Sequence, residues 1–207
     1  MVVPDHRYPV GTVRALMDGA HVSGATSAAL ELRLAGHGTR EAPRFFDPRR
    51  VATLRAICAR LIPQDERPDP IDVAAWIDAR IADSKSDGWR YATMPPDGDA
   101  FRLGLQGIDD SAVAMFAALF SALDHTQQDA VLLAVQRGAV SGAAWGAISA
   151  TRFFEELLTE TVEAYYSHPI AQEEIGYAGM ADLPGWQRIG LNDLEDREPR
   201  RVGDATS

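Results

Sequence analysis

Residues 47–63 read DPRRVATLRAICARLIP, and this stretch carries a complete set of helix signals. Asp47 can accept hydrogen bonds from the free N–H groups of a first helical turn. Pro48 suits the first helical position because its missing N–H is not needed there. Apolar residues then recur every three or four positions, which predicts one buried helix face, and Pro63 ends the pattern. The residues on that face are Val51, Leu54, Ile57, Cys58 and Leu61.

The same reasoning predicts helices along most of the chain. We expect Asp69-Pro70 to open the next helix, and we expect an interruption near Gly107. Thr126 with Asp129 forms an approximate capping box, and Ser141 is predicted to cap the longest helix. The apolar patterns run over residues 26–34, 51–61, 73–81, 101–108, 113–123, 130–135 and 143–166.

No alternating run of β-branched residues is long enough to require a sheet, so we predict an all-α protein. Residues 1–44 are predicted to be an N-terminal arm, extended over its first twenty residues, with one short helix. Residues 45–168 are the predicted helical domain, an irregular bundle. From Pro169 onward, glycines and large apolar residues lack a helical period. They predict a non-helical C-terminal tail, residues 169–207, that packs on the domain or on a partner.

The composition excludes several classes of partner and of site. The 207 residues are 46% hydrophobic with a net charge of −10, which is typical of a globular chain and unsuited to binding nucleic acid or anionic lipid. No apolar stretch reaches the length of about 20 residues that a bilayer span needs. The single cysteine, Cys58, excludes an internal disulfide and a thiolate zinc cage, and we expect a buried structural thiol.

No combination of residues predicts a catalytic, cofactor-binding or metal-binding site. The glutamates of the longest helix lack the histidines of a di-iron motif, and we expect them to form a solvated helix face. The histidines are scattered, without the spacing of a zinc site. Ser141 has no nucleophile elbow around it, and Gly176–Gly179 lacks the preceding strand of a nucleotide-binding loop. The glutamates are Glu155, Glu156, Glu160 and Glu163.

Several short motifs occur in a fixed order between about Phe45 and Gly190. They are Leu61-Ile62-Pro63 at a helix end, Phe153-Phe154 in the longest helix, a tyrosine–proline turn from Tyr165 to Pro169, and Gly185-Trp186 near the C-terminus. In this order and spacing they resemble the gluconate 2-dehydrogenase subunit 3 family. The resemblance implies a small, helical, non-catalytic subunit that stabilises a flavoprotein and assists its folding or maturation.

The resemblance also implies a partner and a cofactor. The expected partner is an FAD-dependent large subunit of the glucose–methanol–choline type, acting on a sugar, sugar acid or glycoside. An electron-transfer subunit is a further candidate partner. We expect FAD and the catalytic residues in the large subunit, with no cofactor in this chain.

The cellular compartment is predicted from the first residues of the sequence. Many members of the family begin with a twin-arginine export signal, whereas the first residues here show neither a twin arginine nor a following apolar segment. We therefore expect a cytoplasmic complex. The periplasm is the alternative, through a partner's signal or after removal of a signal.

The segment from Tyr165 to Gly190 is the predicted partner interface, because tyrosine and tryptophan bury a large area while keeping a polar group. The predicted interface residues are Tyr165, Tyr166, His168, Pro169, Ile175, Gly176, Tyr177, Gly185, Trp186 and Ile189. Packing of these aromatic residues on the chain's own bundle stays open at this point. So do two other functions. One is a metal-dependent helical enzyme that uses His168 with Glu173 or Glu174, and the other is a scaffold or chaperone for a different partner.

Overall fold

The computed structural model describes residues 11–19, 22–36, 42–85, 92–177, 188, 190–191 and 193–194. Over these residues the chain is helical, with one short 3₁₀ turn and no strand, which confirms the all-α prediction. None of the described helices is long and apolar enough to cross a membrane. The elements are α1 Thr12–Met17, α2 Gly24–Ala35, α3 Pro48–Leu61, α4 Val73–Ala82, α5 Asp97–Phe116, the 3₁₀ turn Phe120–Ala122, α6 His125–Gln136, α7 Ala143–Ala147, α8 Ala150–Tyr166 and α9 Pro169–Glu174.

Helix α3 begins and ends as its sequence predicts. The carboxylate of Asp47 accepts a hydrogen bond of 2.9 Å from the N–H of Arg50, and Pro48 takes the first helical position. The helix ends before Pro63. On its apolar face, Val51, Leu54 and Ile57 are buried and Leu61 is partly buried, and Cys58 is buried as expected.

Helix α4 is capped by a different aspartate from the one predicted. Asp72 accepts a hydrogen bond of 3.1 Å from the N–H of Ala75, whereas Asp69-Pro70 lies in the preceding loop. The side-chain amide of Gln64 closes this loop, because it donates to the carbonyl of Ile71 at 3.1 Å and accepts from its N–H at 2.8 Å. The closure orders the chain directly before Asp72, so the helix begins there and not earlier.

The N-terminal cap of helix α6 also differs from the predicted one. The N–H of Gln127 donates to the carboxylate of Asp124 at 2.9 Å, and the N–H of Asp124 donates to the side chain of Gln127 at 3.2 Å. The predicted capping box of Thr126 and Asp129 is therefore wrong. Asp129 has another role, since its two carboxylate oxygens each accept a hydrogen bond of 2.8 Å from Arg60.

Helix α5 continues through Gly107, where the sequence predicts an interruption. Two glycines on this helix allow aromatic rings to approach its backbone. A Cβ at Gly104 would lie 2.1 Å from the ring of Phe153, and one at Gly107 would lie 2.5 Å from the indole of Trp145. The indole nitrogen also donates a hydrogen bond of 3.0 Å to Ser111. These glycines are therefore packing sites on a continuous helix.

The longest predicted helix forms two helices, α7 and α8. Ile148 lies between them in an extended conformation, and the hydroxyl of Ser149 then accepts a hydrogen bond of 3.4 Å from the N–H of Arg152. Ser141 is not the predicted cap. The residue before α7 is Gly142, whose φ of 133° is a conformation that residues with a Cβ rarely adopt.

The chain divides into two compact units, Gly38–Ala164 and a second unit that combines Met1–His37 with Tyr165–Ser207. The predicted domain boundaries after residues 44 and 168 stay a prediction. In the first unit, Asp109 accepts hydrogen bonds of 3.0–3.2 Å from three donors, two on α3 and one on the 3₁₀ turn. The donors are Arg49, Thr53 and Phe120. The core around it includes Leu54, Ile57, Ile77, Leu105, Ile108, Phe120, Val131, Val135, Phe153 and Leu157.

The second unit contains α1, α2 and α9, and residues of α1 and α2 form a small apolar cluster in it. Two of these helices are additions to what the sequence predicts, since α1 lies in the arm expected to be extended and α9 at the start of the tail expected to lack helix. The cluster residues are Val13, Met17 and Leu30, with Val22 and Leu34 packed against them.

Candidate partner-binding surface

Helix α9 follows the tyrosine–proline turn and has a defined N-terminus. The Nδ1 atom of His168 accepts a hydrogen bond of 3.3 Å from the N–H of Ile170, and Pro169 occupies the first helical position. The helix ends at Glu174. Gly176 then has a φ of 63°, a left-handed conformation that glycine adopts readily. The turn that the sequence predicts therefore leads into a short, capped helix.

The predicted interface residues separate into an exposed and a buried group. Tyr166, Ile175 and Tyr177 are 40%, 51% and 44% exposed, and we name these three residues the α9 apolar surface. Gly176 lies between two of them and is partly exposed. The buried residues are Tyr165, His168 and Pro169. Gly185, Trp186 and Ile189 lie outside the described residues.

Hydrogen bonds through Gln172 connect the two tyrosines of the α9 apolar surface. The side-chain nitrogen of Gln172, a buried residue, donates to the carbonyl of Tyr166 at 3.1 Å. The N–H of Tyr177 donates to the carbonyl of Gln172 at 2.9 Å. The backbone at both tyrosines is thus held through one residue. A backbone ordered in this way loses less conformational entropy when the segment binds a partner.

Tyr165 stabilises the same region from inside its unit. Its hydroxyl donates a hydrogen bond of 2.6 Å to the carboxylate of Glu174. Its ring packs edge to face against Tyr166, with 5.0 Å between the ring centroids. Because only 5% of Tyr165 is exposed, its role is to support the surface and not to form it.

Glu173 binds the N-terminal helix α1. One carboxylate oxygen accepts from the N–H of Gly11 at 2.9 Å and from Nη2 of Arg14 at 3.1 Å. The other accepts from Nε of Arg14 at 3.1 Å and from its N–H at 3.3 Å. Burial opposes ionisation of Glu173, but the guanidinium and the backbone N–H groups outweigh it and hold the pKa of Glu173 below its ordinary value. The hydrogen bond and charge of Glu173 in turn raise the pKa of Arg14.

These contacts bear on the alternative of a metal site at His168. Glu173 is engaged by α1, Glu174 accepts the hydroxyl of Tyr165, and Nδ1 of His168 caps α9. Within the part of the chain that the structure describes, no group of three or more His, Cys, Asp and Glu side chains is arranged to hold a metal ion. The three residues of that alternative therefore have structural roles here.

The glutamates of α8 differ in environment, and the expectation of a uniformly solvated face is wrong for one of them. Glu155 and Glu163 are exposed, whereas Glu160 is 6% exposed and lies 2.5 Å from Nη2 of the buried Arg80. Glu160 follows the buried Leu157 by three residues, so helical spacing puts both on the inward face of α8. This spacing was the signal in the sequence that could have identified it.

A cavity of about 670 Å³ lies between the end of α3 and the start of α4. Two of its charged wall residues, Arg55 and Asp72, pair with each other at 2.8 Å. Cys58 also borders it, and its Sγ lies 3.8 Å from the hydroxyl of Thr161. Burial raises the pKa of the Cys58 thiol to about 12, so the thiol stays protonated at neutral pH. Cys58 is therefore a structural residue and not a nucleophile.

The comparisons with known proteins agree with the motifs of the sequence. No curated protein and no solved structure matches the chain. The family model described as Gluconate 2-dehydrogenase subunit 3 matches residues 48–190, which is more than half of the chain and includes α3 to α9. The resemblance seen in the sequence is thus confirmed, and the family is by its description a subunit of a dehydrogenase complex. The chain belongs to the Gluconate 2-dehydrogenase subunit 3 family.

Proposed function

We propose that this chain is the non-catalytic small subunit of an FAD-dependent dehydrogenase of the glucose–methanol–choline type that oxidises a sugar, sugar acid or glycoside. Its role is to stabilise the large flavoprotein subunit and to assist its folding or maturation. Family membership supports a place in a dehydrogenase complex. The observation that carries the proposal is the α9 apolar surface, an ordered group of large exposed side chains.

The energetics of such a surface favour a protein partner. Transferring a large apolar side chain from water to a buried site contributes about 1.5–3 kcal/mol. Tyrosine is enriched among the residues that dominate binding energy, because its ring buries much area and its hydroxyl still finds a partner. Two of the three residues of the α9 apolar surface are tyrosines, and the backbone of each is hydrogen-bonded to Gln172 before any partner binds.

The proposal assigns the chemistry to the partner. FAD, the substrate pocket and the base that removes the substrate proton belong to the large subunit, and an electron-transfer subunit is a further candidate member of the complex. In support, this sequence has no glycine-rich loop of the kind that follows a strand and binds a dinucleotide. We place the complex in the cytoplasm, with the periplasm as the alternative if a partner's signal exports it or if a signal has been removed.

Co-expression tests the proposal directly. We expect a large flavoprotein subunit to be encoded beside this chain. That subunit is expressed with and without this chain, and soluble flavin, dehydrogenase activity and melting temperature are measured. We expect a yellow complex that contains both chains, and an insoluble or less stable flavoprotein when this chain is left out. A large subunit with full activity and unchanged melting temperature on its own would refute the stabilising role.

Substitutions on the α9 apolar surface test the interface. Tyr166→Ala and Tyr177→Ala should each weaken binding of the large subunit at least tenfold, because truncating a residue that dominates binding energy costs about 2 kcal/mol or more. Leu133→Ala on α6 is the matched control, since Leu133 is 42% exposed but lies outside this surface. Equal affinities for the three variants and the wild type would contradict the proposed surface.

A further inference from the structure

The contact between Glu173 and α1 joins two segments that are far apart in the sequence. Both carboxylate oxygens of Glu173 accept two hydrogen bonds each, from the guanidinium and N–H of Arg14 and the N–H of Gly11. The guanidinium meets the carboxylate with two nitrogens, Nε and Nη2, which is the strongest arrangement of this pair. Glu173 is 6% exposed, so water competes little for its oxygens.

Glu173 also lies in the centre of the residues that organise the α9 apolar surface. Its neighbour Gln172 is hydrogen-bonded to Tyr166 and to Tyr177. Its other neighbour, Glu174, accepts the hydroxyl of Tyr165. Three successive residues of α9 therefore connect α1, the end of α8 and the exposed tyrosines.

Helix α9 depends on such tertiary contacts for its conformation. It contains six residues, Pro169–Glu174, and a helix of that length is not stable by itself in water. The backbone hydrogen bonds that end it run from the N–H of Gly176 to Glu173 at 3.2 Å and from the N–H of Tyr177 to Gln172 at 2.9 Å. If Glu173 were released from α1, these bonds would open more often and Ile175 and Tyr177 would leave their positions.

We infer that Arg14 and Glu173 form a clasp that holds α9 in the conformation that the large subunit recognises. Glu173 is in this view a positioning residue, which acts through Gln172 and Tyr177 without touching the partner. The inference rests on the proposed function. The clasp affects affinity in a defined way. The apparent dissociation constant equals the intrinsic one divided by the fraction of molecules whose surface is in the binding conformation.

The kinetics of binding distinguish positioning from contact. Opening the clasp lowers the population of the competent surface and therefore the apparent association rate. The complex, once formed, still contains Tyr166, Ile175 and Tyr177 in their places, so its dissociation rate stays close to that of the wild type. Loss of a residue that touches the partner has the opposite effect and raises mainly the dissociation rate.

The experiment uses two variants of the full chain, Glu173→Gln and Arg14→Met. Hydrogen exchange of the N–H groups of Gln172, Gly176 and Tyr177 is measured on the isolated chain, and association and dissociation rates on the immobilised large subunit. We expect exchange at these positions to become about tenfold faster, and the dissociation constant to rise about tenfold through the association rate. Glu155→Gln is the control. Glu155 also pairs with an arginine, Arg152, but this pair is exposed, so the substitution should change neither measurement.

Each other result has a defined meaning. Unchanged exchange, or faster exchange with unchanged affinity, overturns the clasp. A weaker complex that dissociates faster without any change in exchange shows that Glu173 or Arg14 touches the partner, which also overturns it.

If Glu173→Gln and Arg14→Met prevent folding, Arg14→Lys keeps the charge with fewer contacts and is measured in the same way. If the wild-type chain does not bind the large subunit, the proposed function fails together with the clasp's role in binding. The exchange rates alone then report whether the clasp orders α9.

Discussion

Two physical effects predict opposite changes in stability for the substitution Gly104→Ala. Alanine stabilises a helix interior by about 1 kcal/mol relative to glycine, so sequence alone predicts a more stable α5. The structure predicts the reverse, because a Cβ at Gly104 would lie 2.1–2.3 Å from three ring atoms of Phe153. Carbon atoms in contact are normally about 3.5–4.0 Å apart, so the ring or the helix would have to move by more than 1 Å.

The ring of Phe153 is closely surrounded by other side chains. It is 0% exposed, and it packs against Phe101 with 5.6 Å and Trp145 with 6.1 Å between ring centroids. Overpacking a well-filled core costs about 1–3 kcal/mol, and the closeness of this contact puts it at the upper end. After subtracting the helix-propensity gain of about 1 kcal/mol, we expect a net loss of about 2 kcal/mol. That corresponds to a decrease in melting temperature of about 4–8 °C for a chain of this size.

Thermal and urea unfolding of the wild type and Gly104→Ala measure this loss. Gly146→Ala is the control, since a Cβ at Gly146 would meet no heavy atom within 4 Å, and its stability should be unchanged or higher. Adding Phe153→Leu to Gly104→Ala should recover part of the loss, because the smaller side chain leaves room for the methyl group. A Gly104→Ala variant as stable as the wild type, or additive effects in the double variant, would refute the packing argument.

Three further predictions concern charged and titratable groups. Glu160→Gln removes the buried carboxylate 2.5 Å from Arg80 and leaves the more exposed Asp97, at 3.4 Å, as a counter-charge. Because the charge of Arg80 stays partly compensated, we expect the free energy of unfolding to fall by about 3 kcal/mol, the lower end for a broken buried pair. A change below about 1 kcal/mol in urea titrations would contradict a buried pair. Because the pKa of Glu173 is lower in the folded chain, its contribution to stability is complete above its ordinary pKa and is lost as the pH falls through the folded value. The melting temperature of the wild type should therefore fall more steeply than that of Glu173→Gln between pH 7 and pH 3, and parallel curves would argue against the contact. Cys58, with a pKa of about 12, should resist iodoacetamide at pH 8 until the chain is unfolded, and labelling of the native chain with one equivalent would contradict its burial.

Local signals in the sequence were sufficient for the all-α class, for α3 and for much of the core. Asp47 and Pro48 define the start of α3 within a few residues, and no distant contact competes with them. The apolar period of the same helix correctly predicts the burial of Ile57 and Cys58. The start of α3 was predictable because its deciding interaction lies within one helical turn, although the capping box of α6, which is equally local, was placed at the wrong residues.

Distant contacts decided two of the features that the sequence did not predict. Asp69 and Asp72 are both acceptable caps, and the choice of Asp72 depends on the closure of the loop by Gln64. Glu173 gives no local signal at all, because its partner Arg14 is 159 positions away. Both cases require knowledge of which segments meet in space.

The two adjacent tyrosines, Tyr165 and Tyr166, show why aromatic content alone could not define the interface. Successive residues of an α-helix point about 100° apart, so one of two neighbours can face the core while the other faces solvent. Tyr165 is 5% exposed and hydrogen-bonded to Glu174, whereas Tyr166 is 40% exposed. Substitution of Tyr165 is therefore expected to report on the stability of the fold, whereas among the described residues of the segment we expect Tyr166, Ile175 and Tyr177 to report on binding. A scan of the segment that ignored this difference would confuse loss of folding with loss of the partner.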